Sequence, residues 1–353
     1  MQLQDVIKQI TPPDSVSADA ARRQWDSLAK PLGSLGLLEN AVVRMAALKG
    51  SKDVHIDNNR MLLVFCADNG VVSQGVTHCG PHVTAAVACS LGLGESTVCH
   101  MARSSRCSVC AVDVGIFDFS GAPGVLNRRI RNGTGDISQG PAMSRAECQR
   151  AIMVGVELVH ELAKTNTSII AAGEMGIGNT TASSAVASVL LNRSVEDMTG
   201  RGSGLSDEGL IRKVRAIRSA VLCNQPNAAD PLDVMSKLGS LDMAAMCGVF
   251  LGGAACGIPV LLDGFISGVA ALCALRLCPE SHKAMFASHV SAEPAARAVL
   301  DALDLHPIIS ADMRLGEGSG AVAALPLLDM ALAVYHSGHT FEQLGIDAYT
   351  PQN

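Results

Sequence analysis

The chain has 353 residues, 48% of them hydrophobic and only 17% charged, which gives a sizeable buried core and leaves little room for disorder. The net charge is −6 with no lysine or arginine cluster, so the basic footprint of a nucleic-acid binder is missing. Met1 to Asp5 does not have the form of a signal peptide, and the expected location is the cytoplasm.

Asp14 to Leu48 reads as helical, with a break at Lys30-Pro31-Leu32-Gly33-Ser34-Leu35-Gly36. Four apolar strands follow, and each runs into an acid and a glycine. They are Leu62 to Ala67 before Asp68, Val109 to Val112 before Asp113, Ile169 to Ala172 before Gly173-Glu174, and Val260 to Leu262 before Asp263. Helical stretches follow the later strands, at Ala182–Leu191 and Gly264–Leu275. Continuous apolar strands separated by helices predict a parallel sheet covered on both faces. Ligands of such sheets bind beyond the carboxyl ends of the strands, so the four acids are expected to converge on one crevice. Each acid taken singly also fits a turn or a helix cap. The run Met243 to Leu262 has no charge over twenty residues, but its glycines and Pro259 suit a helix to about Gly257 and then a strand, not a membrane span. A last helix spans Ala321 to His336. The expected domains are residues 1–60 and 325–353 as a small helical domain from both termini, and 61–324 as an α/β domain.

Gly173 to Thr181 carries the most information. It follows a strand and opens a helix. Glycines let backbone approach an anion, and free amides at a helix start attract its charge. Glu174 shares that turn. Met313 to Gly320 repeats the pattern with Glu317, and two carboxylates on glycine turns suggest acid-base chemistry on a phosphorylated small molecule. Neither turn has the lysine ending of a P-loop or the dinucleotide glycine spacing, and no kinase pattern is present. The twelve cysteines are scattered in apolar runs and read as buried free thiols of a reducing compartment. Cys107 and Cys110 would face opposite sides of a strand, and no second pair lies at zinc spacing.

Taken together the motifs resemble a known family. Lys30 to Gly36 with Leu38-Glu39, Ala67-Asp68-Asn69-Gly70-Val71, Val112 to Gly115, Gly140 to Ser144, Gly173 to Thr181, Leu262 to Phe265, Ser288 to Glu293 and Arg314 to Gly320 all match, in order, over nearly the whole chain. The pattern is similar to nicotinate-nucleotide:dimethylbenzimidazole phosphoribosyltransferase, which makes the lower-ligand nucleotide of cobalamin. The resemblance implies transfer of 5-phosphoribosyl from nicotinate mononucleotide to an aromatic base, with release of nicotinate and inversion at the anomeric carbon. It implies a Rossmann-like α/β large domain, a homodimer, and no metal or organic cofactor. By position, Glu317 would be the general base and Glu174 would assist. Gly176, Gly178, Asn179, Thr180 and Lys213 would hold the phosphate. Asp263, Gly264, Ser291, Leu315, Gly318 and Gly320 would bind the rest of the donor. Gly80, Ala88 and Met175 would line the base pocket.

The chain departs from the family at Asn69, where histidine is usual, at Gly80, where serine or tyrosine is common, and near Ala86 to Ala88, where a polar group often stands. These changes keep a second acceptor open. A phenol or p-cresol branch of the family works as a pair of unlike subunits, and this chain would then be one subunit, catalytic or not, of a heterodimer with a paralogue.

Overall fold

The computed structural model describes residues 2–80, 82–202 and 204–349; Pro81, beside Gly80, and the last four residues of the expected C-terminal segment lie outside them. Six strands form one parallel sheet: β1 (Arg60–Ala67), β2 (Ser108–Gly115), β3 (Val125–Asn127), β4 (Ile169–Met175), β5 (Val260–Leu262) and β6 (Met285–Ala287). Their order is β3-β2-β1-β4-β5-β6. This is the doubly wound α/β fold, and its order reverses between β1 and β4. The register there pairs Phe65 with Glu174 and Cys66 with Met175. Leu62 to Ala67 are all buried because helices cover both faces.

The charge-free run resolves as expected. Leu241–Cys256 is a helix, Gly257 ends it in the left-handed region, and β5 follows. The helix lies against Arg145–Lys164 with its backbone in near contact. A Cβ at Gly248 would stand 1.8 Å from the Ile152 carbonyl oxygen, and one at Gly155 would stand 1.9 Å from that of Ala245. Only glycine permits this spacing.

Helices from both ends pack together, Leu37–Lys49 lying against both Ser15–Ser27 and Ser319–Ser337. Trp25 and Tyr335 pack with ring centroids 5.1 Å apart. The helix Ser319–Ser337 is continuous, so the expected boundary at 324/325 falls inside it, and this one rod serves both the sheet and the terminal helices. Among the described residues it is also the one helix long and apolar enough to cross a membrane. It nevertheless carries Asp329, which grips the buried Arg60 with two hydrogen bonds, at 2.5 and 3.0 Å. Arg60 is only 2% exposed. Asp329→Ala would leave that guanidinium in the core with its carboxylate gone. Urea unfolding should show a loss of about 3 kcal/mol or more.

Candidate active site

The reversal between β1 and β4 opens a crevice at the carboxyl ends of the strands. β4 delivers Glu174 and Met175, and the turn Gly176–Gly178 leads into the helix Asn179–Leu190. Gly176 is packed against β1: a Cβ there would come within 2.3 Å of the Ala67 carbonyl oxygen. The close approach expected for a ligand is thus made first to the neighbouring strand. At the helix start, the amides of Gly178 and Thr180 have no backbone acceptor among the described residues. They remain available to an anion.

Lys213 lies behind this helix start. It is 1% exposed, and its ammonium donates to the Thr180 hydroxyl at 2.9 Å and to the Gly200 carbonyl at 3.0 Å. No carboxylate forms an ion pair with it among the described residues. Burial brings its pKa down to about 8.

The opposite wall comes from β5, β6 and the Arg314–Gly316 turn. Gly264, Phe265, His289, Ser291, Arg314 and Leu315 line it. Asp263 accepts the amides of Gly318 at 3.1 Å and Gly320 at 2.6 Å. Those two amides are therefore spent on a protein carboxylate and do not face a ligand. Asp263 shapes the turn that carries Glu317. Burial pushes its pKa up to about 7 against the pull of these amides.

Glu174 and Glu317 stand on adjoining turns, tied by the Glu317 amide donating to the Glu174 carbonyl at 3.2 Å. Of the two, Glu174 lines the crevice and Glu317 does not. Burial, then repulsion from Asp242, raises its pKa well above the ordinary value, although Asn179 donates to it. Glu317 is 9% exposed, and one of its carboxyl oxygens has no partner among the described residues. The groups that favour its charge are the Ser96 hydroxyl and the Val98 amide; burial still raises its pKa. Its backbone is left-handed at φ 60°, an uncommon conformation for a residue with a Cβ.

Four converging acids were expected, and the structure brings two of them, Glu174 and Asp263, to the crevice. Asp113 is taken up by Arg129 at 3.0 Å and by the Gly115 and Ile116 amides. Asp68 accepts from the Thr84 hydroxyl at 2.6 Å and the Phe117 amide at 2.9 Å. Both serve turns, the bland alternative for such acids. Of the expected base-pocket residues, Met175 lines the crevice while Gly80 and Ala88 do not. Ala88 is fully buried in the helix His82–Leu93, and a Cβ at Gly80 would meet the His82 ring at 2.8 Å. His289 also lines the crevice, buried beside Asp263 with Nδ1 3.9 Å from the carboxylate. Arg314 had no role assigned from sequence, although it stands in a motif. Asp242 was missed altogether, because an acid just after Ser240 at a helix start reads as a cap.

Asp53, His55 and His336 form the one histidine-carboxylate cluster close enough to suggest a metal among the described residues. The two rings stack in parallel, 4.3 Å apart with 1° between their planes. Imidazole lone pairs lie in the ring plane, so two parallel rings do not aim at one ion. The twelve cysteines are free thiols.

A doubly wound sheet with an anion-ready helix start and two buried glutamates at its switch point defines a class, an α/β enzyme acting on a phosphorylated small molecule. Comparison with known proteins narrows it. A family model described as phosphoribosyltransferase matches residues 10–346. The nicotinate-nucleotide–dimethylbenzimidazole phosphoribosyltransferase of Ruminiclostridium cellulolyticum is 43% identical over 351 residues, 99% of each chain. That of Acetivibrio thermocellus is 44% identical over 334 residues, 95% of each. The crystal structure of CobT from Thermus thermophilus superimposes with a TM-score of 0.88 at 36% identity, covering 98% of this chain and 100% of that one. The chain belongs to the nicotinate-nucleotide–dimethylbenzimidazole phosphoribosyltransferase family.

Proposed function

We propose that this chain transfers 5-phosphoribosyl from nicotinate mononucleotide to dimethylbenzimidazole or a related azole, giving the α-ribotide and nicotinate for cobamide synthesis. The observation that carries the reading is the pairing of an anion-ready helix start, backed by buried Lys213, with two glutamates on adjoining glycine turns.

The phosphate sits at the helix Asn179–Leu190, where Gly178 and Thr180 offer amides and Lys213 supplies charge through a dry wall. Gly264, Ser291 and Leu315 border the remainder of the donor. The pyridinium bond is activated in the substrate itself: nicotinate leaves as a neutral ring nitrogen. The incoming azole is a weak nucleophile while it keeps its proton. Glu317 takes that proton as the new bond forms, through the oxygen that lacks a partner. Most of the rate enhancement is positional, since leaving group and nucleophile are held against one ribose carbon.

Two outcomes test the donor and acceptor separately. Nicotinate riboside, which lacks the phosphate, should be a poor donor; equal use of riboside and nucleotide would remove the helix start from the binding account. In competition with p-cresol, dimethylbenzimidazole should be the preferred acceptor, as the names of the relatives suggest. Exclusive ribosylation of p-cresol, or turnover only with an added paralogue, would replace this reading by the heterodimer. The reading includes a homodimer, for which sedimentation should give twice the chain mass.

A further inference from the structure

Asp242 is fully buried at the start of the helix Leu241–Cys256 and has no place in the mechanism above. Its Oδ2 accepts a hydrogen bond from Asn179 Nδ2 at 2.8 Å. The same nitrogen donates its other hydrogen to Glu174 Oε2. One amide group is therefore clamped between two carboxyl groups. The remaining oxygen of Asp242, Oδ1, has no partner among the described residues. The free oxygen of Glu174, Oε1, is directed to the crevice, against Gly316, where a Cβ would stand 2.9 Å from it. Neither acid forms an ion pair with a lysine, arginine or histidine among the described residues.

The other titratable groups around the pair are mostly acids too. Asp263 and Glu317 act on Glu174 from the turn beyond β5 and from the Gly316–Gly318 turn. Asp68, beyond β1, and Cys66, within it, interact with Asp242. His289 and Arg314 share the crevice with Glu174, and burial favours the neutral form of His289. Two ionised carboxylates that share one amide in a dry site repel each other strongly, and a single proton relieves them.

We propose that Asp242 is a positioning residue for Glu174: through the shared Asn179 amide it fixes the Glu174 carboxyl against Gly316 and holds it in its proton-bearing form. The donor nucleotide brings a phosphate and a carboxylate. A neutral Glu174 meets them with an O–H donor in place of another negative charge, and Glu317 is left as the base. The inference rests on the site reading above, but its test does not need turnover.

The test is the infrared spectrum of the free protein at neutral pH. The wild type should show a protonated-carboxyl stretch that Glu174→Gln removes. In Asp242→Asn, which keeps the shape and an acceptor for Asn179, the midpoint at which that band titrates should fall by about one pH unit or more. The corresponding limb in the pH profile of kcat/KM for the donor should move with it. An unshifted midpoint and pH profile in a folded Asp242→Asn would overturn the proposal. The wild-type comparison needs no Asp242 variant, and absence of a Glu174-dependent band would overturn it independently. If the band behaves as stated but no phosphoribosyl transfer is found, the functional reading fails and the positioning role stands.

Discussion

Glu317→Gln should lower kcat by about 10²-fold or more, the usual worth of a positioned general base. The substitution keeps the shape of the side chain and removes its basicity. Donor binding should survive, because the phosphate elements lie on the other turn. The pH dependence carries a sign. A base works only when deprotonated, and burial raises the pKa of Glu317 above the ordinary carboxylate value. Activity should therefore fall on acidification at a pH above that ordinary range, and this limb should vanish in Glu317→Gln. Turnover equal to wild type at saturating acceptor would take Glu317 out of the mechanism.

Lys213→Ala should weaken donor binding by about 10- to 100-fold, the worth of a hydrogen-bonded charge in a dry site. Steady-state kinetics should show it mainly as a raised KM for nicotinate mononucleotide. The lysine is buried without a carboxylate partner among the described residues, and its pKa stands at about 8 in the free protein. A phosphate beside it favours the charged form, so the pKa rises on binding. Binding should take up protons near pH 8, and affinity should fall as the pH rises past that value. Calorimetry in buffers of different ionisation heat reads this uptake, and it should disappear in Lys213→Ala. Proton uptake unchanged by the substitution would place the phosphate elsewhere.

The fold was legible because parallel strands buried on both faces become uninterrupted apolar runs, and β1, β4 and β5 are such runs. The short edge strands β3 and β6 were not read, since three residues carry no periodicity. The Gly173–Thr181 turn announced itself through its order of strand, glycine and helix. Sequence could not say which way a carboxylate turns. Asp68 follows β1 and Asp113 sits near the end of β2, much as Asp263 follows β5, yet Thr84 and Arg129, supplied by other segments, take them up. Gly318 and Gly320 look like anion-binding amides, and Asp263 already occupies them. Asp242 stayed hidden because its partner Asn179 lies 63 residues away in the chain. That pairing exists only once the helix Leu241–Cys256 has packed beneath the sheet.

The most direct measurement is incubation of the purified chain with nicotinate mononucleotide and dimethylbenzimidazole. Nicotinate and ribotide are quantified by mass, and the anomer is assigned by NMR. The account predicts one nicotinate released per ribotide formed, with the new glycosidic bond in the α configuration. Nicotinate release without ribotide, or a β-linked product, would contradict it.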